Sequence, residues 1–309
     1  QRKEVKSAMK YAVVDLGSNP ILLSLYHIHQ DKTFELLFSQ KKMAGLVNYI
    51  DKKILSDEGV QQACSVLKEF QWLLRQFGME TMHVFATASL RNIANTQQVI
   101  QAILEQTGIH VDVISGDDEA ELGYYGARAN YPFQSGLMFD IGGGSSELTL
   151  VMDGKIQMEE SLEMGSLNLF NRCVSKLWPD KEELQQLNKV AVETLKTSKL
   201  PQKQLEYACG IGGTARAVLK IANAYWKRSQ DCRVLTVEQL EEIAKLLTDR
   251  KKTARKLVLR NCPDRVHTIL PVVIVMYNLC KIWCKKEIYI SKYGVREGFL
   301  CHKLLKDES

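Results

Sequence analysis

The 309-residue chain has no cysteine pair at CxxC spacing and no apolar run long enough to cross a bilayer. It has no basic block interleaved with aromatics, and its first residues are charged, not an apolar leader. Each absence removes a class of function. The eight cysteines, at 64, 173, 209, 232, 262, 280, 284 and 301, lack the paired spacing of a structural zinc site. Cys280 and Cys284 fall on one helix face and read as core packing. Unpaired cysteines without an export signal fit a reducing cytoplasm. The longest apolar stretch, residues 269–280, is shorter than the roughly 20 residues a membrane span needs and contains Asn278, so it reads as a buried helix. A formal charge of +5 suits an anionic ligand without calling for a nucleic-acid polymer. The densest basic stretch, residues 250–260, reads as a solvated helix face. Residues 1–9 are polar and read as a frayed end.

What the chain does have is an ordinary globular composition, 45% hydrophobic and 25% charged, and enough length for two full cores. Its most informative stretch is Asp140-Ile141-Gly142-Gly143-Gly144-Ser145-Ser146-Glu147. Apolar runs at 136–141 and 148–152 flank it, so it reads as strand, tight turn, strand. Glycine brings backbone N–H groups close to a ligand with no Cβ in the way. Consecutive N–H groups in such a turn form a concavity for phosphate. Asp140 and Glu147 would repel a bare phosphate, so they make sense beside a metal ion or an oriented water. Read alone, the stretch is equally a tight hairpin carrying solvated acids.

Along the chain, strands are expected at 11–16, 21–29 and 33–39. Ser56 caps a helix with apolar residues at Val60, Ala63, Leu67, Phe70, Leu74 and Phe77, ended by Gly78. A strand at 81–86 follows, then a helix capped by Thr96 and ended by Gly108. A strand through Ile109, Val111 and Val113 leads to a helix from about Asp117. The second half opens in the same way, with strands at 136–141, 148–152 and from Lys155 after an Asp153-Gly154 hairpin turn. Helices at 167–173 and 181–197 precede a short strand at 207–210. Gly212-Gly213-Thr214 opens a helix as a second anion-friendly turn. Thr236 and Gln239 form a capping box. The buried 269–280 helix, a strand at 288–291 and a last helix at Gly294-Val295-Arg296-Glu297-Gly298 complete the chain. Both halves begin with a strand ending Asp-x-Gly (Asp15-Leu16-Gly17 and Asp140-Ile141-Gly142), which marks an internal duplication.

The duplication with paired glycine turns resembles the actin-like, ribonuclease H-like fold, two α/β domains that clamp a polyphosphate in an interdomain cleft. The expected domains are 1–130, with 299–309 packing back on it, and 131–298. A closer likeness rests on Asp15-Leu16-Gly17-Ser18-Asn19, Ala86-Thr87-Ala88-Ser89-Leu90-Arg91 with Asn95, residues 114–120 ending Asp117-Asp118-Glu119-Ala120, residues 140–147, Gly210-Ile211-Gly212-Gly213-Thr214-Ala215-Arg216, and residues 294–298. In this order the set resembles the exopolyphosphatase and guanosine pentaphosphate phosphohydrolase family, in its short two-domain form. The resemblance implies hydrolysis of terminal phosphoanhydride bonds of inorganic polyphosphate or guanosine pentaphosphate. Glu119 would be the base that activates water. Gly17, Ser18, Asn19, Arg91, Gly142, Gly143, Gly144, Ser145, Gly212, Gly213 and Thr214 would bind phosphate. Asp140 and Glu147 would hold or orient a magnesium ion. A cytoplasmic homodimer is the expectation by analogy.

Read without that likeness, Glu119 is an exposed acid at a helix N-terminus, Arg91 a capping or ion-pair residue, and Arg296–Glu297 an ion pair. Four positions depart from the family pattern: Pro20 and Leu22 after the first turn, Asn168, and Lys292. Pro20 removes one N–H from the first turn. These thin the substrate-gripping donors and motivate a second reading, a non-catalytic polyphosphate or alarmone-nucleotide sensor. A kinase of the same fold is a third, for which the chain has no sugar or acid pocket signature.

Overall fold

β1 (Met9–Leu16) lies at the centre of a sheet because Ala12, Val13 and Val14 are apolar on both faces and all three are buried. The computed structural model describes residues 9–249 and 252–305. The expectation of a frayed end at 1–9 falls outside it except at Met9, which begins β1, and parts of the expectations for 250–260 and 299–309 fall outside it too. The chain forms two compact units, Gln1–Ser115 with His302–Ser309, and Gly116–Cys301.

In the first unit β1 pairs antiparallel with β2 (Pro20–Ile28), and β2 with β3 (Phe34–Met43). A small hairpin of β4 (Ile50–Asp51) and β5 (Ile54–Leu55) follows. Then come α1 (Asp57–Gln76), β6 (His83–Ala86), α2 (Ala88–Arg91), α3 (Thr96–Thr107) and β7 (Val111–Val113). The sheet order is β3-β2-β1-β6-β7, with β6 and β7 parallel to β1. Ser56 caps α1 by accepting from the Gly59 N–H, and Gly108 ends α3 in the left-handed conformation. Thr96 does not cap α3: Asn95 holds that position, and the Thr96 hydroxyl donates back to the Leu90 and Ile93 carbonyls at 2.6 and 2.9 Å. Phe77 is exposed at the end of α1 and stacks on Phe38 instead of entering the core.

The second unit opens with α4 (Gly116–Arg128), then β8 (Gly136–Ile141), β9 (Ser146–Met152) and β10 (Lys155–Leu162). α5 (Ser166–Cys173), α6 (Lys181–Lys196), β11 (Leu205–Ile211), α7 (Gly212–Tyr225), β12 (Val234–Thr236) and α8 (Val237–Thr248) follow. α9 (Lys252–Asn261), α10 (Ile269–Trp283), β13 (Cys284–Ile290) and α11 (Val295–Phe299) complete it. Its sheet runs β10-β9-β8-β11-β13-β12. Without the extra edge strand β12, both sheets have the order 3-2-1-4-5, so the duplication holds at the level of topology and the fold is the actin-like one. Asp153 and Gly154 both take positive φ in the β9–β10 hairpin, as its turn requires. α10 is apolar on every face and its residues are buried from Ile269 to Met276. Cys284 is not on that helix: it begins β13, though it and Cys280 are both buried. All eight cysteines are free.

α4, which the sequence reading grouped with the first half, packs on β9, β10 and α11. The close approach to α11 depends on glycine. A Cβ on Gly298 would stand 1.8 Å from the Leu122 carbonyl oxygen, and one on Gly126 2.0 Å from that of Gly294. The late glycine motif thus seats the helix that carries Glu119.

Candidate functional site

β8 and β9 hold Asp140 directly opposite Glu147, and Ile141 opposite Ser146, so both carboxylates sit on one face of the sheet. The turn between them is fixed from behind. The Gly142 N–H donates to Ser145 O (2.8 Å). The carbonyls of Gly142 and Gly143 accept from the backbone of Ser166, and of Leu167 and Asn168, at the start of α5. Asn168 closes the lock: its amide donates to Gly144 O and its carbonyl accepts from the Gly165 N–H, each at 2.7 Å. The sequence marked Asn168 as a lost ligand; here it braces the glycine turn. With the carbonyls held behind, the N–H groups of Gly143 and Gly144 donate to no group among the described residues.

The first unit repeats the device. Ser18 O accepts from the Val47 N–H, and Asn19 O from Ala44 and Gly45. Pro20 is the first residue of β2, a position proline tolerates in a strand. Asp15 faces Leu22 across the ladder as Asp140 faces Glu147, so the carboxylate pair exists only in the second unit. The Ser89 hydroxyl donates to Leu16 O, tying the start of α2 to the end of β1 beside Gly17. Arg91 reaches Ile114 O at 3.4 Å.

Glu147 is 3% exposed and its Oε1 accepts from the hydroxyls of Ser145 (2.7 Å) and Ser161 (2.9 Å). The Ser145 side chain is thereby committed to orienting a carboxylate. Thr214 is also turned inward: its hydroxyl donates to Ile141 O at 2.7 Å, fastening α7 to the end of β8. Gly212 has φ of +80°, and a Cβ there would meet Asp140 Oδ1 at 2.2 Å. The Asp140 carboxylate therefore lies against the N-terminal turn of α7, where helix N–H groups favour negative charge.

Burial raises the Asp140 pKa, while Arg216, Arg265 and Arg296 oppose the rise. Burial and the neighbouring Arg296 bring Arg216 down to about 10. Arg265 is lowered by burial too, and one of its Nη atoms would stand 2.5 Å from a Cβ on Gly213. Three arginines thus act electrostatically on one carboxylate at a helix N-terminus, with Glu297 acting in turn on Arg216 and Asp264 on Arg265. Arg265 was not singled out in the sequence. It follows Pro263 in a short turn and carries no local signal; only the fold brings it to Gly213. Arg265→Ala is expected to raise KM for an anionic phosphate-ester or anhydride substrate roughly ten- to hundredfold, since a hydrogen bond to a charged group contributes about 1.5–3 kcal/mol. Steady-state phosphate release measures this.

Glu119 lies in the first turn of α4 and is 8% exposed, so it is not the solvated helix-end acid of the alternative reading. It stands about one turn before Gly123, whose Cα rests on Ile211, and Ile211 pairs with Asp140. Glu297 accepts from the Gly294 N–H at 2.8 Å and so caps α11.

A model of the Ppx/GppA phosphatase family matches residues 26–307. The chain is 28% identical over 184 residues to a bifunctional 3-dehydroquinate synthase/phosphatase of Fusobacterium nucleatum, a match over 56% of this chain but only 28% of that protein's length. It is 22% identical over 304 residues to exopolyphosphatase 1 of Mycobacterium bovis, covering 96% of this chain and 88% of the relative. Among solved structures, an exopolyphosphatase from Cytophaga hutchinsonii superposes with a TM-score of 0.82 at 22% identity, over 96% and 98% of the two chains. The Ppx/GppA family member of Aquifex aeolicus gives 0.80 at 22% identity, over 97% and 99%. At such identity the structural likeness speaks for the fold. No helix among the described residues is long and apolar enough to cross a membrane.

Proposed function

Because this chain belongs to the Ppx/GppA phosphatase family, we propose that it hydrolyses the terminal phosphoanhydride bond of inorganic polyphosphate, of guanosine pentaphosphate, or of both. The observation that carries the proposal is the braced glycine turn of the second unit. Its N–H groups are left for a ligand, the Asp140–Glu147 pair stands beside it, and Arg216, Arg265 and Arg296 act electrostatically on Asp140. Phosphoryl transfer to water is mostly positioning and charge neutralisation, with one proton to remove. The N–H groups of Gly143 and Gly144 and the guanidinium groups of Arg216 and Arg265 take the phosphate oxygens. Glu119, buried at the start of α4, accepts the proton of the attacking water, and the shortened polyphosphate leaves with the electron pair of the cleaved P–O bond.

The residues fit a magnesium ion. Asp140 and Glu147 face each other as oxygen donors, and Ser145 and Ser161 orient the Glu147 carboxylate. Two carboxylates would leave the remaining positions of such an ion to other oxygen donors. Bound there, magnesium would neutralise charge on the phosphate.

The test is phosphate release from short polyphosphate, long polyphosphate and guanosine pentaphosphate, side by side, with magnesium and with chelator. Turnover of at least one substrate, lost on chelation and restored by magnesium, is expected. Saturable binding of a substrate with no turnover at any magnesium concentration would sink the enzyme reading and leave a sensor.

A further inference from the structure

α9 carries charge of one sign. Its residues Lys252, Arg255, Lys256 and Arg260 are all exposed, and it contains no acid. The surface helices α6 and α8 mix the two signs, and α8 pairs Glu241 with Lys245 one turn on. Lys252, Lys256 and Arg260 follow one another at i, i+4 spacing, on the side opposite the buried Ala254 and Val258. Like charges at that spacing destabilise a helix, and a cation in the first turn, where Lys252 stands, opposes the helix dipole. Helix stability therefore does not account for the stripe. Arg255 lies over the Trp178 ring at 5.6 Å, off this line. Among the described residues no acid pairs with Lys252, Lys256 or Arg260. Acids flank the helix in sequence at Asp249 and Asp264, the second acting on Arg265, but neither lies on it.

α7 sets the direction in which the stripe runs. Cys262, just past the end of α9, donates its thiol to Ala217 O in the second turn of α7 at 3.8 Å, and Arg265 lies against Gly213 in the first turn. The C-terminal end of α9 is therefore the end nearer the Gly212–Gly213 turn, and Arg260 is the cation of the stripe on that end. From Arg260 the stripe recedes to Lys252 over about 12 Å, the rise of the intervening helix. We propose that Lys252, Lys256 and Arg260 hold the part of an inorganic polyphosphate chain that extends beyond the phosphates bound at Gly213 and Arg265, and so select the polymer over short phosphates. The proposal rests on phosphate binding at that turn, as read above.

The chemistry separates the two candidate substrates. A polyphosphate chain bears charge at every unit, so whatever length lies outside the cleavage site still meets each cation of the stripe. Guanosine pentaphosphate places a nucleoside beyond its 5′ phosphates, with no continuous line of charge to follow α9. Each exposed ion pair is weak and screened by salt, but pairs to one tethered polyanion add.

The test is equilibrium binding and phosphate release on the full chain, with tripolyphosphate, long-chain inorganic polyphosphate and guanosine pentaphosphate. Wild type is compared with the triple variant Lys252→Gln, Lys256→Gln, Arg260→Gln. A control triple, Lys181→Gln, Lys189→Gln, Lys196→Gln, removes the same charge from exposed positions of α6. At low salt the α9 variant is expected to bind long-chain polyphosphate roughly tenfold more weakly, the sum of three exposed ion pairs, with the two short ligands and kcat within about twofold of wild type. The α6 control should stay within about twofold for every ligand. Added salt should shrink the wild-type preference for the long chain towards that of the α9 variant. Unchanged long-chain affinity in the α9 variant overturns the proposal, as does an equal loss for all three ligands or an equal loss in the control. If wild type binds the long chain preferentially but releases no phosphate, the hydrolase reading fails and the binding comparison still decides the stripe. If wild type releases phosphate with an affinity independent of chain length, the stripe falls and the hydrolase reading stands. Failure of wild type to bind any of the three removes both.

Discussion

Replacing Glu119 by glutamine is expected to lower kcat for phosphate release by roughly 10²–10⁴-fold, the usual contribution of a positioned general base, with KM within about threefold of wild type. Glutamine keeps the shape of the side chain and removes only its capacity to accept a proton at neutral pH. The phosphate-binding groups proposed for the second unit lie on other elements, the turn after β8, the start of α7 and the short turn Pro263–Arg265, so ground-state binding should survive. A kcat that stays within a factor of three would remove Glu119 from the reaction. A loss confined to KM would make it a binding residue instead.

The second large effect is on stability. Gly298→Ala should destabilise the protein by about 3 kcal/mol or more, at the upper end of the range for overpacking. The added methyl would stand 1.8 Å from the Leu122 carbonyl oxygen and 2.5 Å from its carbon, both backbone atoms of α4. No rotamer relieves that contact; α4 and α11 must separate. In a chain of this size the melting temperature should fall by roughly 6–12 °C. Because α4 carries Glu119, kcat should fall as well, even at a temperature where the variant remains folded. A melting temperature within about 2 °C of wild type would mean that the two helices do not cross at these glycines.

The structure also shows how differently the same motif is used in the two units. Asp15 and Asp140 occupy equivalent positions, each beside a turn whose carbonyls are held from behind. Their cross-strand partners are Leu22 and Glu147, so the donors recur while the carboxylate pair does not. The turn geometry thus recurs, whereas among the described residues two carboxylates face each other across the ladder beside the turn in the second unit and not in the first.

Much of the fold was legible because its signals are local. Strand alternation, the Ser56 and Thr236 caps, the left-handed Gly108 and the Asp153-Gly154 turn each depend on residues within one turn or one strand. Where a local signal misled, a competing local bond had won: the Thr96 hydroxyl donates to carbonyls before the helix, leaving Asn95 as the cap. Cys284 was misread because helical spacing continues in the sequence beyond the point where α10 gives way to β13.

By itself, the sequence determined the duplication and the two glycine turns, with Asp140 and Glu147 beside the second, since a strand ending in Asp-x-Gly announces a turn that N–H groups must line; Glu119 was singled out only by the family resemblance. Tertiary structure alone decided what surrounds them. Arg265 reaches Gly213, Asn168 braces Gly144, and α4 joins the second unit through Gly126 and Gly298. Periodicity records which face of an element is apolar. It holds no record of which distant side chain will be packed against that face, and charge, burial and proton affinity at this site are set by those distant partners.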